Sequence, residues 1–120
     1  MKTEKITIYH NPRCSKSRQT LSLIEAEQIE PTIVRYLDTP LDVTTLKELL
    51  AKLGISARQL LRSSEDEFKT LNLGDATLSE DQLIAAMVAH PRLIERPIVV
   101  KGPRAVLGRP PENVLALLGK

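Results

Sequence analysis

The run Ile6-Thr7-Ile8-Tyr9, a turn at Asn11-Pro12, helix formers from Ser17 to Gln28 and then Thr32-Ile33-Val34-Arg35-Tyr36 constrain the fold more than anything else in the chain. The outer segments alternate and are β-branched, which reads as strands. Leu21 and Ile24 fall on one face of the segment between them, which reads as a helix. Glu30-Pro31 marks the turn into the second strand. Strand, helix and strand in such close succession predict a right-handed parallel crossover.

Asp38-Thr39-Pro40 interrupts the pattern. Val43, Leu46, Leu50 and Leu53 then share one helical face, which predicts a helix that stops at Gly54. From Ile55 to Leu73 the expectation is short helical pieces and loops, with Ser56 and Ser64 as candidate caps. Ser79 and Gln82 spell a capping box, and Leu78 and Leu83 stand where a hydrophobic staple would, so a helix is predicted to about Ala89, ending before Pro91. Ile98-Val99-Val100 and Ala105-Val106-Leu107 flank a Gly102-Pro103 turn and predict a hairpin. Pro110-Pro111 opens a final helix with Val114, Leu115 and Leu118 inward. A parallel pair extended by a hairpin and covered by helices predicts an α/β sandwich of the thioredoxin type, with a mixed four-stranded sheet and a helical insertion.

The 120 residues suit one domain, 1–120. Its aromatics are only Tyr9, Tyr36 and Phe68, with no Trp, so Leu, Ile and Val must form the core and base-stacking platforms are lacking. The 17 basic and 15 acidic residues are dispersed, so no polybasic block argues for nucleic acid or a membrane surface. Met1 to Lys5 lead towards the first strand without an apolar signal core, and no run approaches a membrane span. The expectation is a cytoplasmic protein with neither membrane nor nucleic-acid partner. A single cysteine excludes an internal disulfide, and His10 and His90 lie too far apart in sequence to suggest a metal site.

That cysteine, Cys14, stands where the first strand turns into the first helix. The first helical N–H groups there are unpaired and the dipole presents partial positive charge, which favours both a thiolate and a bound oxyanion. Arg13, Lys16 and Arg18 add formal charge beside the sulfur. A free thiol with a pKa of about 8.5 is only about 3% ionised at pH 7, so a modest depression multiplies the nucleophile. The competing reading of a lone cysteine is a small buried hydrophobe, but a turn rich in cations and serines is a poor place to bury one.

Along nearly its full length the chain resembles the glutathione- and glutaredoxin-linked arsenate reductases, the ArsC family, and especially its shorter arsenate-reductase-like branch. The resemblance rests on Ile8-Tyr9-His10-Asn11-Pro12 with Cys14, Ser17 and Arg18, on Pro31-Thr32-Ile33 with Tyr36-Leu37, on Leu60-Leu61-Arg62 and on Asp81-Gln82-Leu83-Ile84. Arg96-Pro97-Ile98-Val99-Val100 and Arg109-Pro110 complete it. It implies Cys14 as the nucleophile, Arg62, Arg96 and Arg109 as oxyanion-binding residues, and His10 and Ser17 as groups that hold the thiolate. It also implies arsenate or a similar oxyanion as substrate, glutathione as co-substrate with no tightly bound cofactor and no metal, glutaredoxin as partner, and a monomer. Ser15 and Lys16 depart from the smaller Gly-Thr pair of well-studied members. The fold analogy, rather than the about 5 to 6% frequency of cis X-Pro bonds, predicts a cis bond at Pro97.

Each residue also has a purely structural reading. Arg62 could pair locally with Glu65 or Asp66, Arg96 and Arg109 could be solvated loop residues, His10 could make one backbone hydrogen bond, and Ser17 could be a helix cap. Two other functions compete with arsenate reduction. One is monothiol, glutaredoxin-like disulfide exchange; the other is a fold-related regulatory binding protein, whose usual Cys-x-x-Cys switch meets Ser17 at its second position here. A cysteine phosphatase loop would place Arg where Thr20 stands.

Overall fold

The computed structural model describes residues 5–119, so the reading of Met1 to Glu4 as a polar lead lies outside the described residues. In chain order the elements are β1 (Ile6–Tyr9), α1 (Ser15–Ala26), β2 (Thr32–Val34), α2 (Val43–Leu53), α3 (Ala57–Leu60), α4 (Asp66–Thr70), α5 (Glu80–Ala89), a 3-10 turn (Pro91–Leu93), β3 (Ile98–Lys101), β4 (Arg104–Leu107) and α6 (Asn113–Leu117). They divide into two compact units, one made of the chain up to Thr39 and from Arg96 onward, the other of Pro40–Glu95.

The first unit holds a four-stranded sheet in the order β2-β1-β3-β4, with β1 parallel to β2 and antiparallel to β3, and with β3 and β4 as the hairpin. This mixed sheet is the α/β, thioredoxin-like arrangement that the sequence predicts. Alternation along β1 buries Ile6 and Ile8 and leaves Thr7 and Tyr9 half-buried. Ile6 and Ile8 join Ile24 of α1, Val99 of β3 and Val114 and Leu117 of α6 in one apolar cluster. Each such side chain is worth about 1.5 to 3 kcal/mol on full burial, which is how a core without Trp holds together.

Several boundaries differ from expectation for local reasons. α1 begins two residues before Ser17, because Cys14 itself is the N-cap. β2 stops at Val34 because the Asp38 and Thr39 N–H groups turn back to the Arg35 carbonyl at 3.0 and 2.9 Å. The prolines at the last helix make its preparatory turn, with N–H groups of Asn113 and Val114 donating to Pro110 and Pro111, and Leu117 is buried where Leu115 and Leu118 are only half-buried.

In the second unit α5 packs against α2, α3 and the 3-10 turn. α2 ends at Gly54 in the left-handed conformation, φ 69°, as its sequence predicts. It buries Leu46, Leu49 and Leu50 and leaves Val43 exposed, so the buried face is rotated by one position from the expected one. Ser56 closes a capping box with Gln59, whereas Ser64 caps nothing and Glu65 stands at the start of α4. At α5 the Ser79 hydroxyl accepts the Gln82 N–H while the Gln82 side chain accepts the Ser79 N–H at 2.7 Å. No helix among the described residues is long and apolar enough to cross a membrane. Ser79→Ala should lower stability by about 1 kcal/mol, read as a shifted urea midpoint at unchanged slope; a change within error would show that α5 is held by packing alone.

Candidate active site at Cys14

The register of the sheet sets the site. Tyr9 pairs with Ile98 and Ile98 with Leu107, so the end of β1, the start of β3 and the end of β4 lie side by side at one edge. The segments leaving that edge carry Cys14, Arg96 and Arg109.

The cysteine loop is tied down from both sides. His10 N–H donates to the Val34 carbonyl at 2.9 Å, which continues the β1–β2 pairing by one residue. Arg13 N–H donates to the Asn11 side chain at 3.0 Å and Cys14 N–H to the Asn11 carbonyl at 3.0 Å, so Asn11 builds the turn expected of an Asn-Pro sequence. Ser17 lies in the first turn of α1 and is not its cap. Its hydroxyl reaches back to accept the Asn11 N–H at 3.1 Å and lies 2.6 Å from His10 Nδ1. His10 and Ser17 are both buried. Burial, then the charges of Arg35 and Arg18, lower the basicity of His10 against the opposing pull of Glu25, so a neutral imidazole faces Ser17 at neutral pH.

Cys14 is half-buried, and burial alone would push its thiol up. The net shift is nevertheless downward. The Ser17 N–H, a hydrogen bond from the Arg96 side chain, the Lys16 N–H and the Arg96 charge together favour the thiolate. The sulfur closes no capping hydrogen bond of ordinary geometry, so the two backbone N–H groups act mainly as dipoles aimed at it. The charge comes from Arg96, far along the chain, and not from the neighbours Arg13, Lys16 and Arg18 to which the sequence points.

Arg109 Nη1 lies 3.9 Å from the sulfur and donates to the Arg96 carbonyl at 3.2 Å, so the two arginine segments are also bonded to each other. The Arg96–Pro97 bond is cis, as predicted from the fold analogy; Arg109–Pro110 is cis as well, which the sequence reading did not anticipate. Arg62 belongs to the second unit. There its guanidinium donates to Glu95 at 2.6 Å and lies 3.5 Å from Glu65. The local pairing with Glu65 anticipated as its structural reading is therefore present, with Glu95 as the stronger partner.

Two residues missed in the sequence join these pieces. Gly108 donates its N–H to the Pro97 carbonyl at 2.9 Å, and its carbonyl lies 3.3 Å from the buried Thr20 hydroxyl of α1, whose single proton has the Lys16 carbonyl at 2.9 Å as its nearer acceptor. A Cβ at Gly108 would overlap the Thr20 hydroxyl and come within 2.7 Å of the Pro97 ring. A glycine beside an arginine is an ordinary loop signal, and nothing in the sequence ties it to Thr20, 88 residues away.

The model of the ArsC family matches residues 9–117. The chain belongs to the ArsC family. It is 56% identical over 118 residues to the Escherichia coli protein YfgD, covering 98% of this chain and 99% of that one. It is 49% identical over 114 residues to the arsenate reductase of Neisseria meningitidis, covering 94% and 97%. Among solved structures the Vibrio cholerae arsenate reductase superposes with a TM-score of 0.93 at 51% identity, covering 96% of this chain and 98% of that one.

For this ArsC-family chain the downward shift at Cys14 carries a definite sign: the thiolate persists to lower pH than that of a free thiol. Iodoacetamide alkylation of Cys14 should therefore show a midpoint below about 8.5, and Arg96→Ala should raise it; a wild-type midpoint at or above that value would refute the electrostatic account. Gly108→Ala should cost about 1 to 3 kcal/mol in urea unfolding, because neither the Thr20 side chain nor the Pro97 ring can swing away; wild-type stability would show that the junction is loose.

Proposed function

We propose that this protein reduces arsenate to arsenite, with Cys14 as nucleophile and Arg96 and Arg109 as the groups that hold the oxyanion. The observation that carries the reading is the convergence of Arg96 and Arg109 on the Cys14 sulfur at the start of α1, in a chain of the ArsC family. Guanidinium groups suit a tetrahedral oxyanion because each offers paired, charge-assisted N–H bonds in a fixed plane.

In the proposed sequence the Cys14 thiolate attacks arsenic, an arsenate oxygen leaves as water or hydroxide, and an arseno-cysteine adduct forms. The arginines stabilise charge moving onto the departing oxygen. Glutathione, a co-substrate and not a bound cofactor, then attacks the Cys14 sulfur. The new S–S bond takes one electron pair from sulfur's side, the S–As pair stays on arsenic, and As(V) becomes As(III). The Cys14–glutathione disulfide returns to thiolate by exchange, for which glutaredoxin is the proposed partner. No second cysteine exists in the chain to do this internally. In this reading His10 acts through Ser17, holding the first turn of α1 so that the Ser17 N–H meets the thiolate. The protein works as a cytoplasmic monomer, consistent with a reducing thiol pool as its electron source.

Arsenite formed from arsenate, glutathione and glutaredoxin tests the scheme. Cys14→Ser should abolish it, and Arg96→Ala and Arg109→Ala should each lose about 100- to 1,000-fold in turnover with folding intact. Arg62→Ala needs a urea curve alongside, since it strips a partner from Glu95 and Glu65 and an activity loss matched by instability speaks only of that pairing. Wild-type protein that makes no arsenite, yet forms and releases glutathione mixed disulfides at Cys14, would replace the scheme by glutaredoxin-like thiol exchange.

A second outcome concerns electrons. Without any added thiol no arsenite should form, and at most one equivalent of arsenate should be held per protein as the Cys14 adduct; sustained turnover under those conditions would contradict the scheme.

A further inference from the structure

A cavity of about 300 Å³ opens beside the cysteine loop, lined by residues 10–13, which follow β1, and by Arg35, Leu37 and Asp38, which follow β2. Cys14, Arg96 and Arg109 are not among its walls. It is therefore a different place from the one where the arginines meet the sulfur.

The hydrogen bonds on its walls decide what it offers. The Ser17 hydroxyl accepts the Asn11 N–H and has one proton to give, and His10 Nδ1 at 2.6 Å is the acceptor in reach. Neutral, buried His10 accordingly keeps its own proton on Nε2, which bonds to nothing among the described residues. Asn11 Oδ1 accepts the Arg13 N–H, which leaves the Asn11 amide N–H groups spare as well. Neither the Arg13 nor the Arg35 guanidinium makes a hydrogen bond or an ion pair among the described residues. Acceptors are scarce by comparison. The Pro12 carbonyl is taken by Arg18 at 2.8 Å and the Arg35 carbonyl by the Asp38 and Thr39 N–H groups, and the one carboxylate, Asp38, is exposed.

A cavity walled by a histidine N–H, an amide and two unpaired guanidiniums selects a ligand that only accepts hydrogen bonds and carries negative charge. Arg35 already depresses the basicity of His10, so an anion there also relieves the unbalanced positive charge. Pro12 and Leu37 give the cavity apolar wall, and its volume leaves room for carbon atoms beyond a bare inorganic ion. We infer that this cavity is a binding site for a small organic carboxylate, held by Arg13 and Arg35 with His10 Nε2 and the Asn11 amide as further donors. The inference does not depend on arsenate reduction.

The test uses succinate as the probe. His10 and His90 are the two histidines of the chain, so NMR of the ring signals reads the site with His90 as internal control. Succinate added at pH 7 and fixed ionic strength should shift the His10 signals saturably and leave those of His90 in place. Arg13→Gln and Arg35→Gln should each weaken succinate about tenfold, the loss expected for one charge-assisted contact, whereas Arg96→Ala should not weaken it. No saturable shift at His10, or the same affinity in both Gln variants, would overturn the site. Loss of binding in Arg96→Ala would also overturn it, by moving the anion to the sulfur. Tighter binding of inorganic phosphate than of succinate would overturn the carboxylate assignment.

Discussion

The pairing register of β1, β3 and β4 is the constraint on which the site depends. Tyr9 opposite Ile98 and Ile98 opposite Leu107 bring three distant stretches of chain to one edge of the sheet. A slip of one residue would do two kinds of damage. It would turn Ile6 and Ile8 away from the cluster formed with Ile24, Val99 and Val114, and it would displace Arg96 and Arg109 from the sulfur. Core burial and site geometry are therefore enforced by the same pairing, and the hydrophobic penalty for a slipped sheet also protects the chemistry.

Register alone brings segments together only to within a few ångströms; the remaining precision comes from short-range contacts. Thr20 and Gly108 join α1, which begins beside Cys14, to the segment carrying Arg109, while the Gly108 N–H joins that segment to Pro97 and so to Arg96. Only a residue without a Cβ permits this approach. On the other side of the sulfur, Asn11, His10 and Ser17 fix the loop by bonds that are largely buried and are not reached by solvent competition. The thiolate is thus balanced between an unfavourable burial and a surplus of favourable dipoles and charge, none of which needs a large structural change to act.

The second unit shows the same economy in another form. Arg62 donates to Glu95 and lies beside Glu65, and Glu65 in turn lies 3.5 Å from Arg92, so the loop before α4 is held by alternating charges where it lacks an apolar anchor. α4 buries none of its residues and its start has no side-chain cap, so these ion pairs add to the Arg62 N–H bond to the Leu93 carbonyl at 2.7 Å in tying that point. Their partial burial gives them more weight than exposed pairs such as Lys47 with Asp81.

What the sequence determined by itself was local. Alternation gave β1, two apolar runs flanking Gly102-Pro103 gave the hairpin, the Ser79 and Gln82 box gave the start of α5, Gly54 gave the end of α2, and the strand-to-helix turn singled out Cys14, because each of these depends on residues within one or two turns of each other. The arginines at the site were legible only through resemblance to a family, since a loop arginine looks the same whether it faces solvent or a sulfur. Tertiary structure alone decided which charge reaches Cys14. Arg13, Lys16 and Arg18 are near in sequence, but Arg13 precedes the helix and Arg18 turns back to the Pro12 carbonyl, whereas Arg96 and Arg109 are brought to the sulfur by strand pairing. It also decided that Ser17 would bond backward to Asn11 and His10 instead of capping a helix, and that Gly108 had to be glycine, because both facts depend on distances between segments that no local pattern encodes.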